Sequence, residues 1–509
     1  MSTQDMMMPM SLNEIAQAVA GRLSTPQGAA ADTDAPVARN ATSDSRTAGE
    51  GTVFVAIAGE RVDGHDFVAD VAAKGAVAAI VDHEVDAPLA QIVVDDTVAA
   101  LGALARHNIE RRRALADRPF TVVGITGSVG KTTTKDLLRG LLGGMGETVA
   151  PVGSFNNEIG LPLTALRVGA DTRFLVAEMG ANHVGEIARL TSLVPPDIAV
   201  VLKVGVAHLG EFGSVERIAQ AKREIVEGLL PGGTCILNAD DDHVAAMRAA
   251  AGGPVTWFGM DAGHARAGEL TARDVTLDAT GHPSFVMARI GEDGTETWRR
   301  DVTLGIRGAH NVMNALAACA AAVACGMDAD AAADALGLQT RISAHRMEVG
   351  AVERDGVRFT LIDDSFNANP DSMRAGITAL AGWRRGEETE PYRIGVLGAM
   401  LELGGDDHRL HRELGGFAVD SGLDAVVTVG STDDPVLDAL AGDLADGAAR
   451  AVAAAGTDAP VRHAHDAAEA DAIVTELTRA HGDAVVLLKG SHASGLSALA
   501  TRWQPVPER

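Results

Sequence analysis

A glycine-rich segment at residues 124–136, GITGSVGKTTTKD, holds the residues of this chain that are best suited to chemistry. It follows an apolar run at residues 120–123 and precedes a predicted helix at residues 132–142. A strand that turns through glycines into a helix start directs several backbone N–H groups at one point, and that arrangement suits a phosphate. The segment therefore predicts a site for the phosphates of a nucleotide.

The spacing of this segment differs from that of the standard P-loop. The standard motif needs a glycine five residues before Gly130, where this chain has Ile125. The shorter pattern GxxGKTT stands here instead, with Lys131 placed to bring a cation to the outer phosphates and Thr132 placed to ligate Mg²⁺. A purely structural glycine-rich turn is the alternative. The predicted ATP-contacting residues of the loop are Gly127, Ser128, Val129, Gly130, Lys131, Thr132 and Thr133.

Two further polar residues follow predicted strands of the same region. Glu178 lies at the end of a strand predicted at residues 174–179. A carboxylate at this position beside a P-loop is typical of a second Mg²⁺ ligand, and the alternative is a negative charge at a helix N-terminus. His208 follows a strand predicted at residues 198–204, which favours a metal ligand over a structural histidine. Imidazole is, however, not a ligand that Mg²⁺ prefers.

Other candidate residues are ambiguous when taken alone. Lys222 lies in a helix predicted at residues 214–230 and by itself is typical of a surface lysine. Asn311 stands at a helix start, where its amide could read a purine edge or cap the helix. In the last third of the chain, polar residues follow several predicted strands, and together they indicate a binding edge of an open α/β sheet. These residues are Asp364, Glu402, Lys489 and Ser491.

Composition limits the class of protein. With 509 residues, two to four domains are expected. A net charge of −26 argues against a nucleic-acid partner, and the one basic run, residues 111–113, is expected to be a solvated helix end. Cys235, Cys319 and Cys325 form no CxxC pair, which fits a reducing cytoplasm. We expect neither a signal peptide nor a membrane-inserted segment.

The order of apolar runs predicts an α/β protein with three domains. Residues 1–116 read as a small α/β unit, and residues 117–340 as a parallel sheet with helices on both faces, interrupted by an antiparallel excursion at residues 255–303. Residues 341–509 again alternate strands and helices, as in a Rossmann-like domain. Within them, the alanine-rich residues 436–458 are expected to form an exposed helix without a role in chemistry.

Several of these motifs together resemble the Mur ligases, ATP-dependent amide-bond-forming enzymes of peptidoglycan precursor synthesis. The shared elements are GxxGKTT, Glu178, His208, the lysine of AQAKREI, GxHNxxN and the strand end at Asp363 and Asp364. More specific are SFNNEIGLPLT (residues 154–164), EMGANHVGEI (178–187), DDSFNANPDSM (363–373) and GAMLELG (398–404), which resemble the branch that adds D-alanyl-D-alanine. The chain departs from common family patterns at His345, Ala399 and His492.

The resemblance implies a function and a domain plan. The first domain would bind the UDP end of the precursor, the second would bind ATP, and the third would complete a ligase. The reaction would join D-alanyl-D-alanine to UDP-N-acetylmuramoyl-tripeptide through an acyl phosphate, in a cytoplasmic monomer that uses ATP and two Mg²⁺ ions.

The resemblance also implies site residues. Lys131, Lys222 and His208 would be catalytic, with Thr132 and Glu178 holding one Mg²⁺ and His208 and Lys222 serving the second. Lys222 would be carbamylated by CO₂, which turns a cation into a carboxylate-like ligand. The expected ATP contacts outside the loop are Asn311, Arg346 and Asp364. The expected contacts to the UDP precursor are Ser43, Ser45, Arg46, Asn156, Asn157 and Asn182.

Three other functions remain open at this point. One is a related amide ligase, either a Mur enzyme that adds an earlier residue or a folylpolyglutamate synthase, although SFNNEIG and the first domain argue against the folate enzyme. Another is a P-loop NTPase switch, which would hydrolyse ATP without an amino-acid acceptor. The third, a non-catalytic nucleotide-binding scaffold, is disfavoured by the presence of Lys131, Thr132 and Glu178.

Overall fold

The computed structural model describes residues 6–26, 33–35, 37–59, 62–205, 209–261, 263 and 266–507. Within these ranges the chain forms three separate β-sheets, each flanked by helices. The predicted α/β class with three domains is thereby confirmed. The exact boundaries predicted at residues 116/117 and 340/341 stay a prediction.

The first domain contains a five-stranded sheet in the order β1-β5-β4-β3-β2. Its strands are β1 (Arg22–Ser24), β2 (Asn40–Thr42), β3 (Thr52–Val55), β4 (Ala78–Val81) and β5 (Ala90–Val93). Its helices are α1 (Leu12–Ala18), α2 (Val68–Ala73) and α3 (Thr97–Arg113). Strands β2 to β5 pair in parallel, and β1 adds an antiparallel edge to β5.

Helix α3 connects the first domain to the second through its arginines, which are not a solvated run as expected. Arg112 is 1% exposed, and its guanidinium donates hydrogen bonds to the carbonyl oxygens of Thr172 (2.7 and 3.0 Å), Arg118 (3.2 Å) and Pro119 (3.1 Å). Arg113 pairs with Asp197 at 2.9 Å. The expectation was wrong because Thr172 and Asp197, which are distant in sequence, bury these cations against the second domain.

The second domain is built on a nine-stranded sheet in the order β14-β13-β12-β11-β10-β9-β6-β8-β7. The strands are β6 (Thr121–Thr126), β7 (Thr148–Val149), β8 (Phe174–Glu178), β9 (Ile198–Val201), β10 (Thr234–Asn238), β11 (Val255–Gly259), β12 (Leu270–Leu277), β13 (Pro283–Ile290) and β14 (Glu296–Thr303). Strands β6 to β11 run parallel, whereas β12, β13 and β14 pair antiparallel. The predicted antiparallel excursion at residues 255–303 is therefore right for β12 to β14 and wrong for β11, which continues the parallel sheet.

The helices of the second domain pack aliphatic side chains on both faces of this sheet. They are α4 (Lys131–Gly143), α5 (Gly160–Ala165), α6 (Glu186–Leu193), α7 (Leu209–Phe212), α8 (Val215–Glu227), α9 (Asp242–Ala246), α10 (Asn311–Ala324) and α11 (Ala329–Leu336). Alanines dominate the buried face of α10, and their small side chains allow it to pack closely against α4.

The third domain has a seven-stranded sheet in the order β19-β18-β17-β20-β16-β15-β21. The strands are β15 (Glu348–Arg354), β16 (Val357–Asp363), β17 (Tyr392–Gly398), β18 (Ala425–Val429), β19 (Val461–Ala464), β20 (Ala484–Lys489) and β21 (Val506–Pro507). The helices are α12 (Pro370–Gly382), α13 (Asp407–Asp420), α14 (Pro435–Ala455), α15 (Ala467–His481) and α16 (Leu496–Trp503). Strands β19, β18, β17, β20 and β16 are parallel, so their carboxyl ends share one edge.

Helix α14 forms where an alanine-rich helix was predicted, but it is not simply exposed. Leu437, Leu440, Leu444 and Ala448 are buried, and the helix packs closely against α13. Gly415 and Gly447 allow this approach, because a Cβ on Gly415 would lie 1.9 Å from the Leu444 carbonyl oxygen. The leucines lie three and four residues apart, which gives α14 one apolar face.

The third domain docks on the second. Lys203 Nζ lies 3.2 Å from Asp371 Oδ2, and the Gly210 N–H donates to the Glu402 carbonyl oxygen at 3.1 Å. A Cβ on Gly210 would lie 2.8 Å from the Gly404 nitrogen, so the backbones of the second and third domains are in direct contact here. The carboxyl edge of the third sheet therefore closes over the second domain.

Two sequence expectations concern the whole chain. All three cysteines are free thiols, with Cys235 and Cys319 buried and Cys325 half-buried. Across the described residues, helices long and apolar enough to traverse a bilayer are absent.

Candidate active site

The phosphate-binding loop connects β6 to α4. Gly130 adopts φ 85° immediately before the helix, and no side chain among the described residues caps the first turn of α4. The first N–H groups of a helix have no intrahelical partner, so they are available to an anion at this point. The Ser128 N–H donates to the Lys203 carbonyl oxygen at 2.8 Å, which fixes the loop to the strand end of β9.

Gly130 also has a steric reason to be glycine. A Cβ at this position would lie 2.3 Å from Asn314 Oδ1. Asn314 in turn donates to Asn311 Oδ1 at 2.7 Å, and the Asn311 amide donates to the Arg307 carbonyl oxygen at 2.6 Å. Helix α10 thus supports the back of the loop through two buried asparagines. The predicted contact of Asn311 with adenine stays a prediction, and its amide is engaged within the chain in this structure.

Glu178, at the carboxyl end of β8, lies beside the loop. Its side chain is fully buried and accepts hydrogen bonds from Thr132 Oγ1 at 3.2 Å, Ser154 Oγ at 2.8 Å and Asn156 Nδ2 at 2.9 Å. Hydroxyl and carboxylate oxygens are the ligands that Mg²⁺ prefers. The adjacent Thr132 and Glu178 oxygens therefore form a donor set of the kind that Mg²⁺ prefers.

Two cations face this carboxylate. Lys131 Nζ bends back to the Gly127 carbonyl oxygen at 2.7 Å, and burial lowers the pKa of Lys131 while the nearby Glu178 opposes that shift. Arg346, from the third domain, donates from Nη2 to Thr132 Oγ1 at 3.2 Å and stacks over the Phe366 ring at 4.3 Å. Burial also lowers the pKa of the Arg346 guanidinium, with Asp364 and Glu178 opposing the shift. Cations from two domains therefore meet at the phosphate site.

Lys222 is a buried lysine on α8. It is 3% exposed on the inner face of α8, and its ammonium has no hydrogen-bond partner or carboxylate within the part of the chain that is described. Burial, together with the charge of Lys131, lowers the pKa of Lys222 from 10.5 to about 7. Taken alone, the sequence around Lys222 is typical of a surface lysine, and that prediction is wrong because the side chain is buried. His208, its predicted metal-binding companion, lies outside the described residues.

The third domain contributes a second group of predicted residues. Asp364, just after β16, pairs with the buried Lys489 at the end of β20. Ser491 is buried, and its hydroxyl has no hydrogen-bond partner among the described residues. Glu402 adopts φ 62° in the loop that meets α7. Polar residues therefore follow these strands as predicted, while binding at this edge and direct contact of Asp364 with a nucleotide stay predictions.

The residues predicted to bind the UDP precursor form two groups. Ser43, Ser45 and Arg46 follow β2, where Arg46 forms a two-pronged pair with Asp44 (2.7 and 2.9 Å) that lowers the pKa of Asp44 to about 2. Lys74 Nζ donates to the Ser45 carbonyl oxygen at 2.7 Å. Contacts of this group with a ligand stay a prediction.

The second group lies near the phosphate site. Asn156 donates to Glu178, whereas Asn157 Oδ1 accepts from the N–H of Gly160, the first residue of α5, at 2.8 Å. The Asn182 N–H donates to Glu186 Oε2 at 2.7 Å. The structure therefore brings Asn156 to Glu178, a predicted metal ligand, but gives Asn157 a local structural contact.

Sequence reasoning missed residues that hold the site together. Lys135 is buried, pairs with Asp136 at 2.8 Å and donates to the Gly153 carbonyl oxygen at 2.9 Å and Ser343 Oγ at 3.2 Å. Asp136 accepts from the Ser343 N–H at 2.8 Å. Two charged residues directly after GKTTT were a signal, because the first turns of a P-loop helix face the ligand and the neighbouring domain.

Three models of Mur ligase domains match this chain. A model of the Mur ligase middle domain matches residues 125–322, a Mur ligase glutamate ligase domain model matches residues 345–492, and a Mur ligase family catalytic domain model matches residues 39–113. The chain belongs to the Mur ligase family. The expected resemblance is thereby confirmed over most of the chain.

Two individual Mur ligases are similar to this chain over most of its length. A UDP-N-acetylmuramoyl-tripeptide–D-alanyl-D-alanine ligase from Mycobacterium tuberculosis (strain ATCC 25618 / H37Rv) is 40% identical over 515 residues, covering 97% of each chain. The ligase with the same description from Escherichia coli (strain K12) is 35% identical and covers 83% of this chain and 86% of its own length.

Solved structures agree with these relatives. A crystal structure of MurF from Acinetobacter baumannii superposes with a TM-score of 0.78 at 31% identity, covering 98% of this chain and 99% of that one. MurF ligase from Thermotoga maritima in complex with ADP gives a TM-score of 0.70 at 28% identity, covering 92% and 97%.

Proposed function

We propose that this protein joins D-alanyl-D-alanine to UDP-N-acetylmuramoyl-tripeptide, and that the reaction is coupled to cleavage of ATP into ADP and phosphate. The product is the UDP-muramoyl-pentapeptide of peptidoglycan synthesis. The Mycobacterium tuberculosis relative described with this activity matches 97% of this chain and 97% of its own length, so the match includes all three domains. A P-loop NTPase switch has no use for the first and third domains, and the same whole-chain match argues against it.

The observation that carries the proposal is the meeting of Lys131, Thr132 and Glu178 with Arg346 of the third domain. Arg346 Nη2 lies 3.2 Å from Thr132 Oγ1. An amide ligase must transfer a phosphoryl group to a carboxylate and then present an amine to the product before water reaches it. A phosphate site in the second domain that is covered by the third domain meets both requirements.

The residues act on the substrates in two steps. In the first, the terminal carboxylate of the tripeptide attacks the γ-phosphorus of ATP, and the bond to ADP breaks. Lys131 and Arg346 stabilise the charge that spreads over the transferring phosphoryl oxygens. In the second, the amine of D-alanyl-D-alanine attacks the acyl carbon and phosphate leaves, so that an amide and one proton are released.

Mg²⁺ would be held by the Thr132 hydroxyl and the Glu178 carboxylate, which lie 3.2 Å apart. When bound, Mg²⁺ neutralises charge on the ATP phosphates. Ser154 and Asn156 hold the Glu178 carboxylate in place through hydrogen bonds of 2.8 and 2.9 Å. These two residues orient the ligand without binding the metal themselves.

A second Mg²⁺ near Lys222 and His208 is part of the proposal, and it requires a modified lysine. An uncharged amine attacks CO₂ to form a carbamate with release of one proton, and the lowered pKa of Lys222, about 7, supplies the uncharged form at neutral pH. The carbamate would also replace repulsion of Lys131 by attraction. Activity that falls in CO₂-free buffer and returns with bicarbonate would support this step, with Lys222→Ala as the unresponsive control.

The remaining assignments complete the proposal. Ser43, Ser45 and Arg46 bind the UDP end, Asn156, Asn157 and Asn182 line the path of the peptide, and Asn311 and Asp364 contact the nucleotide. The enzyme acts as a cytoplasmic monomer. These contacts would be tested separately, by measuring affinity for the UDP precursor in variants of the first two groups and affinity for ATP in variants of the third.

The experiment that tests the function offers the enzyme a panel of acceptors. ATP and UDP-muramoyl-tripeptide are supplied with D-alanyl-D-alanine, D-glutamate or diaminopimelate, and shorter UDP precursors are supplied in parallel. We expect phosphate release that depends on D-alanyl-D-alanine, together with a pentapeptide product identified by mass. Turnover only with an earlier precursor would assign the protein to another step, and phosphate release without any acceptor would contradict ligation.

A matched pair of variants keeps the assay specific. Lys131→Ala should abolish product formation while UDP-muramoyl-tripeptide still binds, because Lys131 acts on phosphate and not on the uridine end. Lys74→Ala removes a lysine of the first domain that donates to the Ser45 carbonyl oxygen. It should weaken binding of the UDP precursor without affecting ATP binding.

A further inference from the structure

A cluster of two histidines and one aspartate lies outside the site described above, at the outer end of the third sheet. Its members are Asp438 on α14 and His463 and His465 at the end of β19. Each offers one ligand atom, and the three atoms lie within 4.8 Å of one another. We propose that this cluster binds a divalent transition-metal ion, with Zn²⁺ as the best fit.

The distances between the ligand atoms support this assignment. Asp438 Oδ1 lies 3.2 Å from His463 Nε2 and 2.9 Å from His465 Nδ1. Tetrahedral Zn²⁺ with bonds of about 2.0–2.1 Å has ligand atoms about 3.3 Å apart. The cluster therefore needs only small side-chain movements to hold the ion, and water would complete the fourth position.

The fold orients the ligands before any ion binds. His463 Nδ1 is hydrogen-bonded to Thr428 Oγ1 at 2.8 Å on the neighbouring strand, which directs Nε2 at Asp438. A partner on the second nitrogen is the usual arrangement for a metal-binding histidine. Gly430 faces the carboxylate, and a Cβ there would lie 2.2 Å from Asp438 Oδ1. The absence of a side chain at Gly430 leaves room for this carboxylate.

The donor set determines the class of ion. Two imidazoles and one carboxylate suit Zn²⁺, Ni²⁺ and Co²⁺, whereas Mg²⁺ and Ca²⁺ prefer oxygen ligands. The His463 and His465 rings meet edge to face with centroids 4.7 Å apart. A bound ion would join the first turns of α14 to the end of the edge strand β19 and would stabilise the folded third domain.

A second cluster of similar composition serves as an internal control. His65, Asp82 and His83 also lie close together, but both nitrogens of His65 are already engaged. Its Nδ1 lies 2.7 Å from Asp63 Oδ1, and its Nε2 accepts from the Asp82 N–H at 3.1 Å. His83 is 59% exposed, comparable with 54% for His465. His83→Ala therefore matches His465→Ala in residue type and exposure but not in metal binding.

The test uses the untagged full-length protein after treatment with chelator, in Mg²⁺-free buffer. Zn²⁺ binding is measured by titration calorimetry, and Co²⁺ substitution is followed by the visible absorption of a tetrahedral site. We expect His465→Ala and Asp438→Ala to lose one equivalent of Zn²⁺ and the Co²⁺ spectrum, and His83→Ala to keep both.

Thermal unfolding provides an independent readout. Because an ion that binds only the folded state stabilises it, Zn²⁺ should raise the Tm of the wild type and of His83→Ala but not that of His465→Ala. Equal Zn²⁺ binding and equal Tm shifts in His465→Ala and the wild type would overturn the proposal. A wild type that binds no Zn²⁺ would leave the cluster as a hydrogen-bonded pair of imidazoles on one carboxylate and would equally overturn it.

Discussion

Arg346 of the third domain donates from Nη2 to Thr132 Oγ1 of the phosphate loop at 3.2 Å. The contact joins two domains at the hydroxyl that is proposed to ligate Mg²⁺. Phe366 supports the guanidinium from one side at 4.3 Å. The cation that completes the phosphate site is therefore supplied only when the third domain is docked.

Arg346→Ala should lower kcat by about 100-fold, the usual cost of removing one charged donor from a transition state. Binding of the UDP precursor should change little, because the first domain does not depend on this contact. Steady-state kinetics with all three substrates would measure the effect. Arg341→Ala removes an exposed arginine five residues earlier and is the matched control. Equal activity of both variants would remove Arg346 from the mechanism.

Lys222 should make stability depend on pH in a characteristic direction. Its pKa is lowered from 10.5 to about 7, so within that window the unfolded chain binds a proton that the folded chain does not. The free energy of unfolding of the uncarbamylated protein should therefore rise with pH across the window. Lys222→Met should be more stable than the wild type near pH 6.5, and the difference should shrink towards pH 9.5.

Thermal unfolding in CO₂-free buffer would measure this difference at each pH. Lys74→Met, which removes a lysine at the surface of the first domain, should show no such trend. A constant offset between Lys222→Met and the wild type would contradict the lowered pKa.

Part of the site could be read from sequence because its signals are local. The loop from Gly127 to Thr133 and the strand-end carboxylate Glu178 each depend on a few neighbouring residues, and the structure brings them together as expected. The burial of Lys222 also left a trace. Ile218 precedes it by four residues and Ile225 follows it by three, so all three share the apolar face of α8.

Other features could not be predicted because their partners are distant in sequence. The Thr172 carbonyl oxygen, which accepts two hydrogen bonds from Arg112, lies 60 residues further along the chain, and the sequence around Arg112 does not indicate it. The burial of α14 depends on its contact with α13, which an alanine-rich composition conceals. Short edge strands such as β1 and β21 form by pairing with a neighbour and carry little pattern of their own.

Arg112→Met should lower the free energy of unfolding by about 2–4 kcal/mol, since several buried carbonyl oxygens lose a charged donor. Arg111→Met is the matched control on the same helix, where the side chain is partly exposed and the effect should stay within about 1 kcal/mol. Chemical denaturation with unchanged m values would measure both. Similar losses in the two variants would contradict the account of α3 as the connection between domains.

Gly210→Ala should weaken docking of the third domain, because the new Cβ would lie 2.8 Å from the Gly404 nitrogen. We expect a lower kcat with nearly unchanged affinity for the UDP precursor. Gly405→Ala places a Cβ in open space and is the control. Small-angle scattering of both variants would report the domain arrangement, and a fully active Gly210→Ala would show that this contact is dispensable.

The most direct test of the central claim follows one oxygen atom. UDP-muramoyl-tripeptide labelled with ¹⁸O in its terminal carboxylate is incubated with ATP, Mg²⁺ and D-alanyl-D-alanine, and the released phosphate is analysed by mass. In the proposed mechanism the carboxylate attacks the γ-phosphorus of ATP bound beside Lys131 and Thr132, and the amine then displaces phosphate. Each phosphate should therefore carry one ¹⁸O atom from the peptide. Unlabelled phosphate would mean that water attacks ATP, and the ligase account would be wrong.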